Sequence, residues 1–370
     1  MSTLKDKLNT LQKTAKERTV KTQNIEYDLE TIVKKIKTNV IKLDPEYQRK
    51  HRWNEETSSR LIESLILNIP IPIVYLSQDL DVDEEVDEDN GIARYSVIDG
   101  QQRLTAIANF MENEYALTGL KVLEDLNGTL YKDLPPFLIR RLEERTIKCL
   151  RIDSTVDSQV KYDIFERLNS GSVKLEAQEL RNAVSRGPFN NMIKKLAKNT
   201  DYMKLLRIDN ENPSVFKKVQ KMEDVELVLR FFALMDDNYF NYKKGFKDFL
   251  TSEMDRLNKL NSTQLKKLEK QFIKTMSIIR ENFGDTAFAK FKLDNGKLKK
   301  VSNFNAAVYD SLAISVSSKV NLDDLEIDED IIVEYNKLFY NEKFYDVITG
   351  SVNDREKIIL RINMVKEVFK

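Results

Sequence analysis

The residues best suited to chemistry form a five-residue run, Asp99-Gly100-Gln101-Gln102-Arg103. The β-branched residues Val97 and Ile98 precede this run and predict a buried strand. The Asp-Gly pair predicts a sharp turn, because glycine adopts positive φ readily. Apolar residues at helical spacing then predict a helix, namely Leu104, Ile107, Ala108 and Met111. Gln101 to Arg103 would lie in the first helical turn, where unpaired N–H groups and the helix dipole favour a phosphate.

A purely structural role for the same run stays open. In that interpretation Asp99 and Gly100 only turn the chain, and Arg103 pairs with a nearby carboxylate. The residues alone favour neither interpretation.

A second cluster of polar residues lies just before Trp53 and consists of Gln48, Arg49, Lys50, His51 and Arg52. Asn54 is a good N-cap, and the residues after it predict a helix. In one interpretation the cations are solvated and Trp53 packs against the start of that helix. In the other interpretation, Arg49 and Arg52 approach phosphates. Lys50 and Arg52 are the candidate nucleic-acid contacts of this cluster.

The composition limits the classes of protein to consider. A length of 370 residues predicts about two domains. Charged residues make up 32% of the chain but balance to zero, so no global charge favours nucleic acid or a membrane surface. The single cysteine, Cys149, excludes an internal disulfide and lies in an apolar run that predicts a buried thiol. Without a signal sequence or a long apolar stretch, we expect a soluble cytoplasmic protein with no membrane contact.

Three segments are predicted along the chain. Residues 1–24 form a basic N-terminal arm, which is either a solvated helix or a nucleic-acid contact. Residues 25–155 alternate short strands with helices, which predicts a small mixed sheet. Residues 156–370 show mostly helical spacing, although Asp294-Asn295-Gly296 predicts a turn among them.

Further short motifs accompany Asp99–Arg103. They are Asp44-Pro45-Glu46-Tyr47-Gln48-Arg49, Ile69-Pro70-Ile71-Pro72-Ile73, Phe165-Glu166-Arg167-Leu168-Asn169-Ser170-Gly171 and Gln178-Glu179-Leu180-Arg181-Asn182. Together, over roughly residues 25–235, they resemble the N-terminal domain of GmrSD-type modification-dependent restriction enzymes, a branch of the ParB/sulfiredoxin-like superfamily. The resemblance implies an α+β fold. A small mixed-sheet ParB/sulfiredoxin-like N-terminal domain would be followed by an all-helical C-terminal domain.

The resemblance also implies a nucleotide site. Asp99, Gln101, Gln102 and Arg103 would contact or hydrolyse a nucleoside triphosphate with Mg²⁺, and Gln48, Arg49 and Gly100 would adjoin it. A glutamine can orient the attacking water, and an arginine with a metal ion can stabilise charge on the transferred phosphoryl group. The pattern does not identify the metal ligands.

A helix end beyond the predicted sheet supplies further candidates. The resemblance implies that Glu166, Arg167 and Asn169 complete the pocket. Asn169 with Gly171 also fits an ordinary helix end, so that alternative stays open. The chain has no Gly-Lys-Ser/Thr phosphate loop, which argues against a P-loop enzyme.

Three function classes remain. The leading one is a nucleotide-binding and hydrolysing switch in prokaryotic defence or DNA metabolism. The second is a non-hydrolysing DNA-binding or scaffold module, and the third is a ParB-like nuclease. The His-Asn-His nuclease half of GmrSD-type enzymes is not expected, because the only histidine is His51. Besides the triphosphate, the partners to consider are DNA, a separate nuclease or effector protein, and second copies of the chain.

Overall fold

A computed structural model of the chain describes residues 21–43, 53–78, 94–153, 156, 158–168, 176–209, 211–243, 245–319 and 327–369. The chain divides into two compact units. The first comprises the chain up to residue 175 together with 182–186, and the second comprises 176–181 and 187–370. Within the described ranges, every helix is too short or too polar to cross a membrane.

A five-stranded mixed sheet forms the centre of the first unit. Its strands are β1 (Thr22–Asp28), β2 (Ile41–Lys42), β3 (Val74–Gln78), β4 (Tyr95–Asp99) and β5 (Thr146–Ile152). They lie in the order β1-β5-β3-β4-β2. β3 is parallel to β5 and antiparallel to β4, whereas β2 runs parallel to β4 and β1 runs antiparallel to β5. This mixed sheet confirms the α+β class, while its ParB/sulfiredoxin-like identity stays a prediction.

Helices in the first unit supply the rest of its core. They are α1 (Leu29–Lys37), α2 (Glu55–Ile66), α3 (Gln101–Met111), α4 (Pro136–Glu143) and α5 (Ser158–Leu168). The Asn54 side chain accepts a hydrogen bond from Thr57 N at 2.8 Å, which caps α2 as its sequence predicts. Apolar side chains of α1 to α4 join the sheet in one buried cluster that includes Ile62, Val97 and Ile107.

The second unit is mostly helical. The helices that follow α5 along the chain are α6 (Ala177–Val184), α7 (Pro188–Leu196), α8 (Thr200–Leu205), α9 (Lys217–Gln220), α10 (Glu223–Leu234), α11 (Phe246–Asn258), α12 (Ser262–Phe283), α13 (Ala306–Ser317), α14 (Glu329–Lys337), α15 (Glu342–Val347) and α16 (Arg355–Val368). Residues of α6 are divided between the two units. The second unit's core centres on α10 and α13, whose residues are almost all buried.

One β-hairpin corrects the prediction of an all-helical C-terminal part. Its strands are β6 (Lys290–Asp294) and β7 (Lys297–Ser302), which pair antiparallel. Asn295 and Gly296 connect them with φ of 50° and 77°, respectively. Two consecutive positive φ values are what a two-residue hairpin turn requires, and Asn-Gly tolerates them. The predicted turn is therefore correct, but the strands on either side of it were not predicted.

A buried ion cluster lies within the second unit. Arg230 Nε donates to Asp310 Oδ1 at 3.0 Å, and Arg361 Nη2 donates to Asp310 Oδ2 at 2.7 Å. The guanidinium of Arg230 also lies 4.5 Å from the ring centre of Phe246. All three charged side chains are buried. One carboxylate therefore compensates two cations inside the helical core.

Candidate functional site

The Asp99–Arg103 run forms the strand–turn–helix that its sequence predicts. β4 ends at Asp99, Gly100 adopts a φ of 101°, and α3 begins at Gln101. A Cβ atom at residue 100 would lie 2.9 Å from Cγ2 of Val74 and 3.3 Å from Cζ of Arg103. Both the backbone conformation and the space therefore require glycine at the end of this strand.

Arg103 is bound tightly to the protein around this turn. Its Nη2 donates to Oδ2 of Asp99 at 2.5 Å, and its Nη1 donates to the carbonyl oxygens of Pro72 and, at 3.2 Å, Ile73. The Arg103 side chain is 10% exposed, whereas that of Asp99 is 49% exposed. This is the carboxylate pairing of the structural alternative, and it fixes the turn to the residues that precede β3.

A cleft of about 490 Å³ opens beside the start of α3. The residues that line it are Leu43, Trp53, Glu55, Ser58, Gln101, Gln102, Thr105, Ala106, Asn109, Glu114 and Tyr115. Trp53 N donates to Oε1 of Gln102 at 3.1 Å, which joins the residue before the cap of α2 to the first turn of α3. Two of the predicted site residues, Gln101 and Gln102, therefore face a cavity of the size that small ligands occupy.

The charged groups among these lining residues are carboxylates. They belong to Glu55 and Glu114. Burial, with a smaller effect of the Glu55 charge, raises the pKa of Tyr115, so its hydroxyl stays protonated and donates to the carbonyl of Ala106 at 3.1 Å. In the described part of the chain, no three His, Cys, Asp or Glu residues come close enough to form a complete metal site.

The cysteine near the turn is inert in character. Cys149 is buried in β5. Burial raises the pKa of its thiol to about 11, although the charge of Arg103 acts in the opposite direction. A neutral thiol is a poor nucleophile, which supports the structural role predicted for Cys149.

Several predicted site residues cannot be placed. Gln48, Arg49, Lys50 and Arg52 belong to residues 44–52, and Asn169 belongs to 169–175; both segments lie outside the described residues. Leu43 and Trp53, which flank the first of these segments, both line the cleft.

Glu166 and Arg167 are described, and they occupy exposed positions near the end of α5. Neither is among the residues that line the cleft. The structure therefore brings together Gln101 and Gln102 at the cleft and Asp99 with Arg103 at the turn, but it does not add the end of α5 to that cavity.

Other cleft residues were not anticipated from the sequence. Thr105 and Asn109 continue a polar stripe along α3 that begins at the predicted residue Gln102, and this stripe faces the cleft. Their spacing of three and then four residues is that of one helix face, so helical periodicity applied to polar residues could have found them. Glu114 and Tyr115 follow the end of α3 and carry no comparable signal.

Comparison with known proteins identifies one part of the chain. The family model of the GmrSD restriction endonuclease N-terminal domain matches residues 29–185, a range that contains both the turn and the cleft. No curated protein and no solved structure matches the chain significantly.

Proposed function

We propose, since residues 29–185 match the family model of the GmrSD N-terminal domain, that the first unit binds a nucleoside triphosphate with Mg²⁺ beside Asp99–Arg103 and hydrolyses it. The matching family is that of a restriction endonuclease domain, and we therefore propose that the chain is a component of a restriction or defence system. In our proposal nucleotide turnover is the switch, and a separate nuclease or effector protein carries out the cutting.

The observation that carries this proposal is the position of the cleft. The cleft has a volume of about 490 Å³, lies at the first turn of α3 and is lined there by Gln101 and Gln102. The first turn of a helix presents N–H groups that the helix itself does not use, and its dipole favours negative charge. A phosphate chain placed here would meet backbone donors and two side-chain amides.

Each residue of the run then has a different task. Gln101 and Gln102 would contact the phosphates or orient the attacking water. Arg103 would act as a positioning residue, because its guanidinium holds Asp99 and the carbonyls before β3. The indole of Trp53, which is 37% exposed at the cleft, would offer an apolar face to the base.

The charge of the cleft makes Mg²⁺ a fitting cofactor. Glu55 and Glu114 would repel a bare triphosphate, so binding needs compensating cations. Mg²⁺ commonly uses one or two carboxylates together with substrate phosphates, and when bound it would neutralise phosphate charge. Arg49, Lys50 and Arg52 are the further cations that we propose for this role.

Calorimetry with ATP, GTP, CTP and UTP in the presence of Mg²⁺ tests binding, and phosphate release tests turnover. We expect Gln101→Ala and Gln102→Ala to weaken binding about threefold to tenfold, since each removes one hydrogen bond. Arg49→Ala would remove the charge-assisted contact that we propose for this residue, and binding should weaken roughly 10- to 100-fold. Gln220→Ala in the second unit and Arg60→Ala on α2 are the matched controls. Binding of none of the four triphosphates to the wild-type chain would refute the proposal.

DNA binding without hydrolysis is the second candidate function. It is favoured by the hydrogen bonds that Arg103 makes to Pro72 and Asp99, because these contacts hold its guanidinium away from the role of stabilising a transferred phosphoryl group. In that case Arg49 contacts a DNA phosphate. Arg49→Ala would then leave nucleotide binding unchanged and lower the salt dependence of DNA binding by about one unit of log–log slope. Parallel titrations of this variant with triphosphate and with duplex DNA separate the two candidates.

A further inference from the structure

The hairpin of the second unit carries an uneven distribution of charge. Its register pairs Lys292 with Lys299, Leu293 with Leu298, and Asp294 with Lys297. Because side chains directly opposite each other share a face of an antiparallel pair, Lys292, Lys297, Lys299 and Asp294 lie on one face. We call the three lysines the lysine ribbon. They outnumber the single carboxylate on their face.

The opposite face anchors the hairpin to the helical core. The ring of Phe291 lies 5.3 Å from that of Phe339, and Phe291 and Leu298 both pack against the core of the second unit. All three residues of the lysine ribbon are exposed. The hairpin therefore presents its lysines to solvent because its apolar side chains hold it from the other side.

Two of the three lysines are placed unfavourably in the absence of an anion, whereas Lys297 lies opposite Asp294. Lys292 and Lys299 are directly opposite, and like charges at such positions destabilise a strand pair. The salt bridges found among the described residues do not include Lys292, Lys297 or Lys299. A ligand that carries several negative charges would relieve this repulsion.

We propose that the lysine ribbon binds the phosphate backbone of duplex DNA. A two-stranded β-ribbon fits the major groove of B-DNA, and lysines along it can each neutralise a phosphate. The contact would be independent of base sequence, because lysine–phosphate contacts position a protein without reading bases. It does not depend on nucleotide binding in the first unit, although it would supply the DNA contact that a restriction component needs.

The test measures duplex DNA binding by fluorescence anisotropy over a salt series, with the full chain and without nucleotide. The triple variant Lys292→Gln, Lys297→Gln, Lys299→Gln should bind at least roughly tenfold more weakly at low salt. The magnitude of its log–log salt slope should fall by roughly two to three units, about 0.9 per lost phosphate contact. Asp294→Asn removes the carboxylate from the same face and should tighten binding, which a merely structural role would not produce.

The matched control removes the same charge elsewhere in the second unit. Lys259, Lys266 and Lys270 are exposed on or beside α12, and their replacement by glutamine should leave the slope within one unit of the wild type. Equal losses in the two triple variants would overturn the proposal, as would a wild-type chain that does not bind DNA. Binding to vesicles containing phosphatidylserine but not to DNA would also overturn it and would point to a membrane surface instead.

Discussion

Arg103 donates a hydrogen bond to Asp99 at 2.5 Å across the glycine that follows β4, so the first and last residues of the run hold each other. The same guanidinium also reaches the carbonyls of Pro72 and Ile73. One side chain therefore fixes the end of one strand, the start of a helix and the approach to a second strand. Gln101 and Gln102, which lie between the paired residues, line the cleft.

Replacement of Arg103 should therefore lower stability. Arg103→Ala removes hydrogen bonds to two carbonyls and one carboxylate around a buried side chain, and we expect a loss of about 1–3 kcal/mol in the free energy of unfolding. Urea denaturation measures this loss. Arg60→Ala, which breaks an exposed pair with Glu56, should cost less than about 0.5 kcal/mol. Equal stability of the two variants would contradict the positioning role.

Gly100 should be far less tolerant of substitution than another glycine in the same unit. Gly100→Ala combines a positive φ with a Cβ only 2.9 Å from Val74, so we expect a cost of roughly 2–4 kcal/mol. Gly128 has a φ of 87°, and a Cβ added there would have no neighbouring atom within 4 Å, so Gly128→Ala should show the backbone cost alone, about 1–2 kcal/mol. Thermal and urea unfolding measure the loss of stability in each variant. Equal losses in Gly100→Ala and Gly128→Ala would contradict a role for the contact with Val74.

Asp310 should make the second unit sensitive to acid. Burial acts to raise its pKa, but the charges and hydrogen bonds of Arg230 and Arg361 outweigh burial, and the pKa lies below the usual 3.8. A carboxyl with a lowered folded-state pKa contributes stability that is complete above its unfolded pKa. That stability is lost as the pH falls through the folded value.

Asp310→Asn leaves two buried cations without a counter-charge and should cost about 3–5 kcal/mol at neutral pH. Urea denaturation at a series of pH values should show that the difference in free energy of unfolding between the variant and the wild type becomes smaller as the pH falls. Asp346→Asn, which removes an exposed partner of Lys357, is the control and should change little. A gap that does not depend on pH would contradict the electrostatic explanation.

Lys218 should be unusually reactive for a lysine. Burial lowers its pKa to about 8, against an opposing effect of Glu223, and its Nζ lies 3.5 Å from the ring centre of Phe304. We expect amine-selective acylation to label Lys218 appreciably near pH 8, with a rate that rises through that value. Peptide mass spectrometry quantifies the labelling, and the exposed neighbour Lys217 is the internal reference.

The same pKa has a consequence for stability. Because the folded value lies below the usual 10.5, the folded state disfavours protonated Lys218. The free energy of unfolding should therefore rise between about pH 8 and 10.5 through this group. Lys218→Met should abolish this rise in the free energy of unfolding. The explanation would be contradicted if the wild type and Lys218→Met showed the same pH dependence over this interval.

Local patterns predicted much of the first unit. Val97 and Ile98, Asp99-Gly100 and the spacing after Leu104 gave β4, the turn and α3, because each depends on residues adjacent in sequence. The Asn-Gly pair at 295–296 carried the hairpin signal as well, but the flanking strands are lysine-rich and their apolar alternation is weak.

Contacts between distant residues were beyond such patterns. Arg103 reaches Pro72, 31 residues away, and Arg230 reaches Asp310, 80 residues away. Nothing in the sequence around either arginine specifies these distant partners, since only the folded backbone brings them together. The cleft was missed for the same reason: Trp53 and Gln102 meet across 49 residues.

The pairing of β1 with β5 has a consequence for how the chain is made. Arg151 of β5 donates to the side chain of Gln23 of β1, 128 residues earlier, and β5 also pairs with β3 in the middle of the sheet. During synthesis β1 leaves the ribosome long before its partner exists. Such non-local pairing slows folding, because a large loop must close before any contact forms. A nascent chain stalled before residue 146 would thus contain β1 without the strand it pairs with, and it should be a substrate for chaperones and proteases.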